Sequence, residues 1–457
     1  MSSEASGSAG DVAGRLRAVV TATDRRMVAV TMAAIYALFL LAGMYLGRDL
    51  AGMFSLVQQV TFFTAVYALV VLALNLHWGY AGLFNIGVIG YMAVGVYTMA
   101  MLSAPVSGSP PGLGLPAPVG ILGGMLAAAF IGLLTALPAL RLRADYLAIV
   151  TVAISEIIRL TFNSPALSTF SLGGVTLGTG GASGIGDFPI NPVRALYYRN
   201  PGDAASEPTA FGDAVFTFFE NSLSIYRPAL ALDLTYALVL VVLVALVYTL
   251  LARVGNSPFG RVLKAIREDE MAAKSLGKDT NMFKIKTFML GCALMGVAGI
   301  AWFGYGIGAV YPQSFRPRVT FYVFIALIIG GAGSNTGSVL GGAIFANILF
   351  LFPPILSNIV TQTFAIGASP NNVVEAVGPV AAGNLAPLVG YILGQIPQLR
   401  FVLVGVILVY LIQNRPEGVL GHRGEEASTI DLSERRATAD AAGSPAADGG
   451  SGGETDE

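Results

Sequence analysis

Residues 229–251, "ALALDLTYALVLVVLVALVYTLL", contain one charged side chain, and runs of similar character recur along the chain. A bilayer's hydrocarbon core is about 30 Å thick, and roughly 20 apolar residues cross it as a helix, which satisfies its own backbone polar groups. Such windows occur at 27–46, 54–75, 80–102, 117–138, 146–162, 229–251, 287–310, 319–332, 337–352 and 399–414. Across 457 residues, 54% are hydrophobic and 12% charged, with a mean hydropathy of +0.70, which excludes an ordinary soluble domain. A transmembrane barrel would alternate at period two, and these windows do not. The expected fold class is all-α: a polytopic helical membrane protein of about ten transmembrane segments, some short or broken.

An even number of spans places both termini on one side, and cytoplasmic segments retain Lys and Arg. The N-terminal 1–26, Arg141 and Arg143, the 252–286 loop and the residues after 414 carry 18 cations. The opposite side carries seven, Arg48, Arg194, Arg199, Arg227, Arg316, Arg318 and Arg400, while Arg159 falls inside a span. Both termini are therefore expected in the cytoplasm, with the protein in the cell membrane. The first 26 residues are polar and the first apolar run is long enough to span, so no secretory signal peptide is expected. Residues 27–421 form the expected membrane domain, with long external loops at 163–228 and 353–398. The tail, 422–457, sets nine anions against three arginines in a low-complexity sequence and is expected to be disordered. The single cysteine, Cys292, lies in an apolar run, which rules out a disulfide framework and a Cys-based metal site.

Glycine interrupts two apolar segments. "VTFYVFIALIIGGA" at 319–332 is short for a straight crossing and runs into "GGAGSNTGSVLGG", and "HWGYAGLFNIGVIG" at 77–90 follows the second span. Paired breaks of this kind accompany broken helices and transport pathways, although small residues also serve close helix packing. Gly79, Gly82, Asn85, Gly330, Gly331 and Gly333 are therefore candidates for a pathway or a subunit interface. Glu156 and Arg159 join them as intramembrane charges. Either would cost about 2.5–3.5 kcal/mol alone near a helix centre, and their i, i+3 spacing lets them pair. His77, near the end of a span, reads as an interfacial residue.

All five lysines lie between Lys264 and Lys286. Within that region Phe259, Val262, Leu263, Ile266, Ala273 and Leu276 form an apolar stripe at helical spacing. Ser257 and Pro258 fit an N-cap and first position, and Gly277 fits a left-handed C-cap. The opposite face carries Arg261, Lys264, Arg267, Glu268 and Lys274. A helix lying on an anionic leaflet would suit the cations, but the mixed acids Glu268, Asp269 and Glu270 favour docking into a cleft of a protein partner.

The run "NSPFGRVLKAIREDEMAAKSLGKDTNMFKIKTFMLGCALMGVAGIAWFG" resembles the cytoplasmic coupling segment of LivM-type permeases of branched-chain amino acid ABC importers. The similarity extends through "VYPQSFRPRVTFYVFIALIIGGAGSNTGSVLGGAIFANIL", "LRADYLAIVTVAISEIIRLTFN" and "LNLHWGYAGLFNIGVIGYMAVGVYTMA". The sequence departs from the family's pattern at Leu83, Asn85 and Val88, where a Gln, a Ser and a His are usual. The resemblance implies a permease subunit paired with a second, LivH-like permease, two cytoplasmic ABC ATPases and an extracytoplasmic solute-binding protein. It also implies ATPase coupling through Gly260, Lys264, Ile266, Arg267, Glu268, Asp269, Glu270, Ala273, Leu276 and Gly277. No G-x-x-x-x-G-K-[ST] occurs, so ATP is expected to be hydrolysed by the partners, with no cofactor, metal or catalytic site in this chain. Lipid is the expected surrounding and nucleic acid is not an expected partner. The expected solute is a branched-chain or other hydrophobic amino acid. Urea or a short amide is the alternative within this class, and an ion-coupled secondary transporter is the alternative outside it.

Overall fold

Asp49 shows how this chain starts a membrane helix: its carboxylate accepts the Gly52 amide at 2.8 Å and caps a helix that runs uninterrupted from Leu50 to Leu74. In the computed structural model, which describes residues 26–139, 144–203, 206–363, 370, 372–394, 400–414 and 418, helices dominate. All of these residues belong to one compact unit, Met1–Gly421. Most of the N-terminal segment, Arg141 and Arg143, and the acidic tail lie outside the described residues.

The first half comprises α1 (Arg26–Tyr45), α2 (Leu50–Leu74), α3 (Val88–Ser103), α4 (Ala117–Ala139) and α5 (Ala144–Asn163). A loop region follows with the β1–β2 hairpin (Phe170–Leu172 and Val175–Leu177, with Phe170 opposite Leu177), the short α6 (Arg194–Tyr197) and α7 (Ala210–Leu223). Then come α8 (Pro228–Asn256), α9 (Pro258–Glu268), α10 (Glu270–Ser275), α11 (Thr280–Gly299), α12 (Arg318–Gly330) and α13 (Asn335–Phe350). The last are α14 (Phe352–Thr363), α15 (Val373–Val377), α16 (Ala386–Gly394) and α17 (Arg400–Asn414).

Among the described residues, six helices are long and apolar enough to cross a membrane, and α13 with α14, bent by 41°, makes a seventh candidate. Three shorter apolar helices, Val88–Ser103, Arg318–Gly330 and Arg400–Tyr410, complete the set, and each anticipated window falls on one of these elements. The molecule is an all-α, multi-pass membrane protein. At about 1.5 Å per residue, the 13 residues of α12 span only about 20 Å, so this helix ends short of a full crossing.

The second half of α2 is the central pillar. Residues from Thr64 to Leu74 are buried without exception, and α13, α8, α11 and α12 pack around them. A second group joins α11 to α3 and α4, where small residues bring the backbones together. At Gly132 of α4, a Cβ would lie 2.8 Å from the Cys292 sulfur of α11, so this buried free thiol fills a space that only glycine leaves. Among the polar residues inside, Asn347 of α13 donates to Thr64 of α2 at 2.9 Å.

Candidate functional site

At one end of the bundle, α9 and α10 connect α8 to α11. Ser257 accepts the Gly260 amide at 3.2 Å and Pro258 occupies the first turn, as the sequence indicated. Gly277 adopts a left-handed φ of 77° and ends the segment. The expected single helix is instead two. Asp269 takes an extended conformation (φ −152°, ψ 105°) and its carboxylate accepts the Met271 and Ala272 amides at 2.8 and 3.0 Å, so it closes α9 and caps α10. The apolar stripe divides with the helix. Gly260, Leu263, Ile266 and Ala273 are buried against the bundle, whereas Leu276 is 79% exposed and Met271 70% exposed. Glu268 is exposed and Lys264 partly buried.

Glu270 faces inward. It pairs with Lys284 of α11 and with Lys274 at 3.3 Å, and accepts from Thr280 at 3.1 Å. Partial burial pushes its carboxyl up, and the Lys284, Lys274 and Thr280 contacts more than reverse this, leaving it below the ordinary carboxylate value. This carboxylate therefore fastens α10 to α11. Arg267 reaches the other way and donates from Nη1 to the carbonyl of Gly79.

Gly79 belongs to a π-helical turn, Asn75–Tyr80, that extends α2 and leads into an extended stretch before α3. The sequence placed a span start at residue 80; α3 begins at Val88 because this turn and stretch intervene. Gly82 there has a φ of 67°, and a Cβ on it would come within 3.3 Å of Arg267. Polar side chains hold the break. Asn75 donates to Asn335 at 3.1 Å and accepts the Gly333 amide at 2.7 Å, while the Ile86 and Ile89 amides donate to Thr151 of α5 and Thr320 of α12. His77 is fully buried inside the bundle, where Phe288 of α11 stacks on its ring with centroids 4.7 Å apart. Asn85 accepts the Gly87 amide at 2.8 Å through its oxygen, so its nitrogen faces His77 Nδ1 at 3.1 Å. That arrangement makes Nδ1 the acceptor and leaves Nε2 to donate to the Phe288 carbonyl at 3.1 Å.

The second break lies directly beside the first. Gly331 and Gly333 have φ of 99° and 94°, values open to glycine, and a Cβ on Gly79 would lie 2.6 Å from the Gly333 nitrogen. Gly330 packs against the backbone of Gly337. Gly79, Gly82, Asn85, Gly330, Gly331, Gly333 and Arg267 thus converge on one junction. Asn75, Asn335, Thr151 and Thr320 belong to it as well, although the sequence reading did not single them out. Their signal was a polar side chain inside an apolar helix, which requires a partner but does not name one.

Glu156 and Arg159 lie apart from this junction, on α5. They pair with each other, with Arg159 Nε donating to Glu156 at 2.9 Å. Arg159 also approaches Gln313 at 3.5 Å, and Arg316 donates to the same Gln313 oxygen at 2.9 Å. Arg159 is 12% exposed and Glu156 37%, so the pair sits at a margin of the chain instead of its centre.

Mechanically, the junction is a linkage. A charge-assisted hydrogen bond, worth about 1.5–3 kcal/mol, joins α9 to a π turn that is itself bonded to the break between α12 and α13. The α9–α10 pair is thus connected, through Arg267 and the π turn, to both helix interruptions.

Comparison with known proteins agrees with this architecture. Residues 56–411 match the family described as "Branched-chain amino acid transport system / permease component". The high-affinity branched-chain amino acid transport system permease protein LivM of Escherichia coli (strain K12) is 33% identical over 279 residues, 61% of this chain and 59% of that protein. A probable LivM permease of Methanocaldococcus jannaschii is 26% identical over 314 residues, 63% of this chain and 78% of that protein. The LivH permease of Escherichia coli (strain K12) is 35% identical over 89 residues, 19% of this chain and 28% of that protein. The chain spans about three fifths of the length of the first two LivM relatives it matches. No solved structure matches. With both helix breaks and the α9–α10 pair inside the matched region, the chain belongs to the branched-chain amino acid transport permease family.

Proposed function

We propose that the chain is the permease subunit of an ABC importer that carries branched-chain or other hydrophobic amino acids inward by alternating access. Its termini and the α9–α10 end face the cytoplasm, as the distribution of basic residues favours. A second, LivH-like permease completes the pathway, an extracytoplasmic binding protein delivers the solute, and two ATPases dock on α9–α10. The chain binds no cofactor and performs no covalent chemistry; ATP is hydrolysed by the partners.

The observation that carries this reading is the pairing of exposure and linkage. Met271 and Leu276 present apolar side chains outward from a charged, capped helix pair, while Arg267 ties that pair to both helix breaks. Contact with a soluble partner at the first feature has a direct route to the second. The roles of Lys264 and Glu268 are at the rim of that contact; those of Gly260, Ile266, Ala273, Asp269, Glu270 and Gly277 are to shape and anchor the helices.

The test is ATP-driven leucine uptake by the full assembly in proteoliposomes, with Leu276→Asp and Glu268→Lys. Uptake should fall at least tenfold with the thermal stability of the isolated chain unchanged. Unaltered uptake in both variants would remove the docking assignment, and uptake of urea without leucine would change the solute class.

A further inference from the structure

At the end of the bundle opposite α9–α10 lies a cavity of about 360 Å³, inside the range of roughly 300–1,000 Å³ that small ligands occupy. Four elements meet there: the first half of α2, the 188–194 loop, the start of α8, and the π turn Ile300–Gly304 that extends α11 with the residues after it. Aromatic rings form its walls. Phe188 and Tyr305 meet edge to face with centroids 5.5 Å apart, and Phe62 lies 6.5 Å from Tyr236.

The polar groups of this cavity differ from those of the junction. Asp233, on the second turn of α8, lines the cavity with an exposed side chain and makes no hydrogen bond or ion pair among the described residues. An ionisable side chain on an otherwise apolar membrane helix is a functional candidate by default. The Tyr305 hydroxyl is buried with no partner. Arg194 also lines the cavity; it lies over the Tyr198 ring at 5.2 Å and gives Nη2 to the Asp203 carbonyl at 3.3 Å, yet its Nε is buried without a partner. One carboxylate, one guanidinium, a free phenol and aromatic walls therefore surround a single space.

We propose that this cavity binds the zwitterion of a hydrophobic α-amino acid, held within this one chain. Asp233 takes the ammonium, which the faces of the neighbouring aromatic rings also favour; Arg194 takes the carboxylate; and Phe62 and Phe188 cover the side chain. The proposal rests on the amino-acid reading of the solute and adds a station at the end of the bundle away from the docking helices. It is also separate from the Glu156–Arg159 pair, whose charges already satisfy each other.

Equilibrium binding to the purified full chain in lipid nanodiscs tests it, using L-leucine, 3-methylbutan-1-amine and 4-methylpentanoate. Leucine should bind at least tenfold tighter than either analogue. Asp233→Asn should weaken leucine and the amine at least tenfold and leave the acid unchanged, whereas Arg194→Gln should weaken leucine and the acid and leave the amine unchanged. The analogue series on the unaltered chain needs no substitution, so a poorly folding variant does not remove the test. No leucine binding, or leucine binding indifferent to both substitutions, would overturn the site. If the assembled importer still took up leucine in that case, the transport reading would stand without it. Selective binding in the cavity combined with no leucine uptake would support the site and count against the transport reading.

Discussion

The junction beside α9 and the cavity at the far end of the bundle are both polar regions inside an apolar molecule, and they treat their polar atoms in opposite ways. At the junction Asn75, His77 and Asn85 are fully buried, and each is hydrogen-bonded to a neighbour from another part of the chain or to its own turn. In the cavity the Tyr305 hydroxyl and the Arg194 Nε are buried without a partner, and the exposed Asp233 makes no hydrogen bond among the described residues. Burial of a polar group without a partner costs about 1–3 kcal/mol, so a satisfied cluster specifies geometry and an unsatisfied one leaves binding capacity in reserve. The difference separates a region whose buried polar groups fix one another from a region whose polar groups are open to a ligand.

Substitution at the junction should give the largest stability effect. Asn75→Leu leaves the Gly333 amide and the Asn335 side chain without their partner, and should cost about 2–4 kcal/mol, read as a lower unfolding temperature in detergent. A neutral result there would show that the junction is loosely held and erase the contrast.

A smaller effect, dependent on pH, is expected where the junction's lever is anchored. The Glu270 carboxyl sits below its ordinary value in the folded chain, so it binds protons less readily folded than unfolded. Its stabilisation is present above the unfolded pKa and is lost as pH falls through the folded value. Glu270→Gln should flatten the acid side of the stability profile, by no more than about 1 kcal/mol for an ion pair this exposed. An unchanged profile below pH 4.5 would show that α10 is held without its carboxylate.

The smallest change is expected in the cavity. Asp233→Asn breaks no contact, and the unliganded chain should keep its stability within about 0.5 kcal/mol, measured alongside Asn75→Leu. A loss as large as that of Asn75→Leu would mean that Asp233 is a structural group and that the two regions are alike.

Much of this arrangement is legible in the sequence. Apolar length gave the spans, Ser257 and Gly277 gave the limits of the α9–α10 segment, and i, i+3 spacing gave the Glu156–Arg159 pair. The break at Asp269 was hidden because the apolar stripe keeps its helical spacing across it; only the extended backbone of a capping aspartate separates the two helices. The burial of His77 was hidden because hydropathy sees only its own segment, whereas Phe288, which packs on it, is 211 positions away. Asn75 and Asn335 are 260 positions apart, and no local period connects them. The cavity was hidden for the same reason, since its charges come from a loop and a helix that meet only in the folded chain.

Cys292 has a practical consequence. It is the one thiol in the chain, and the fold seals it against Gly132. Reagents that follow thiolate exposure therefore meet a surface that is chemically blank toward them. Cysteines introduced together at Met271, on α10, and Tyr226, just before α8, both exposed, would carry the only accessible labels. Distances between the two ends of the bundle can then be followed through a transport cycle in the natural background.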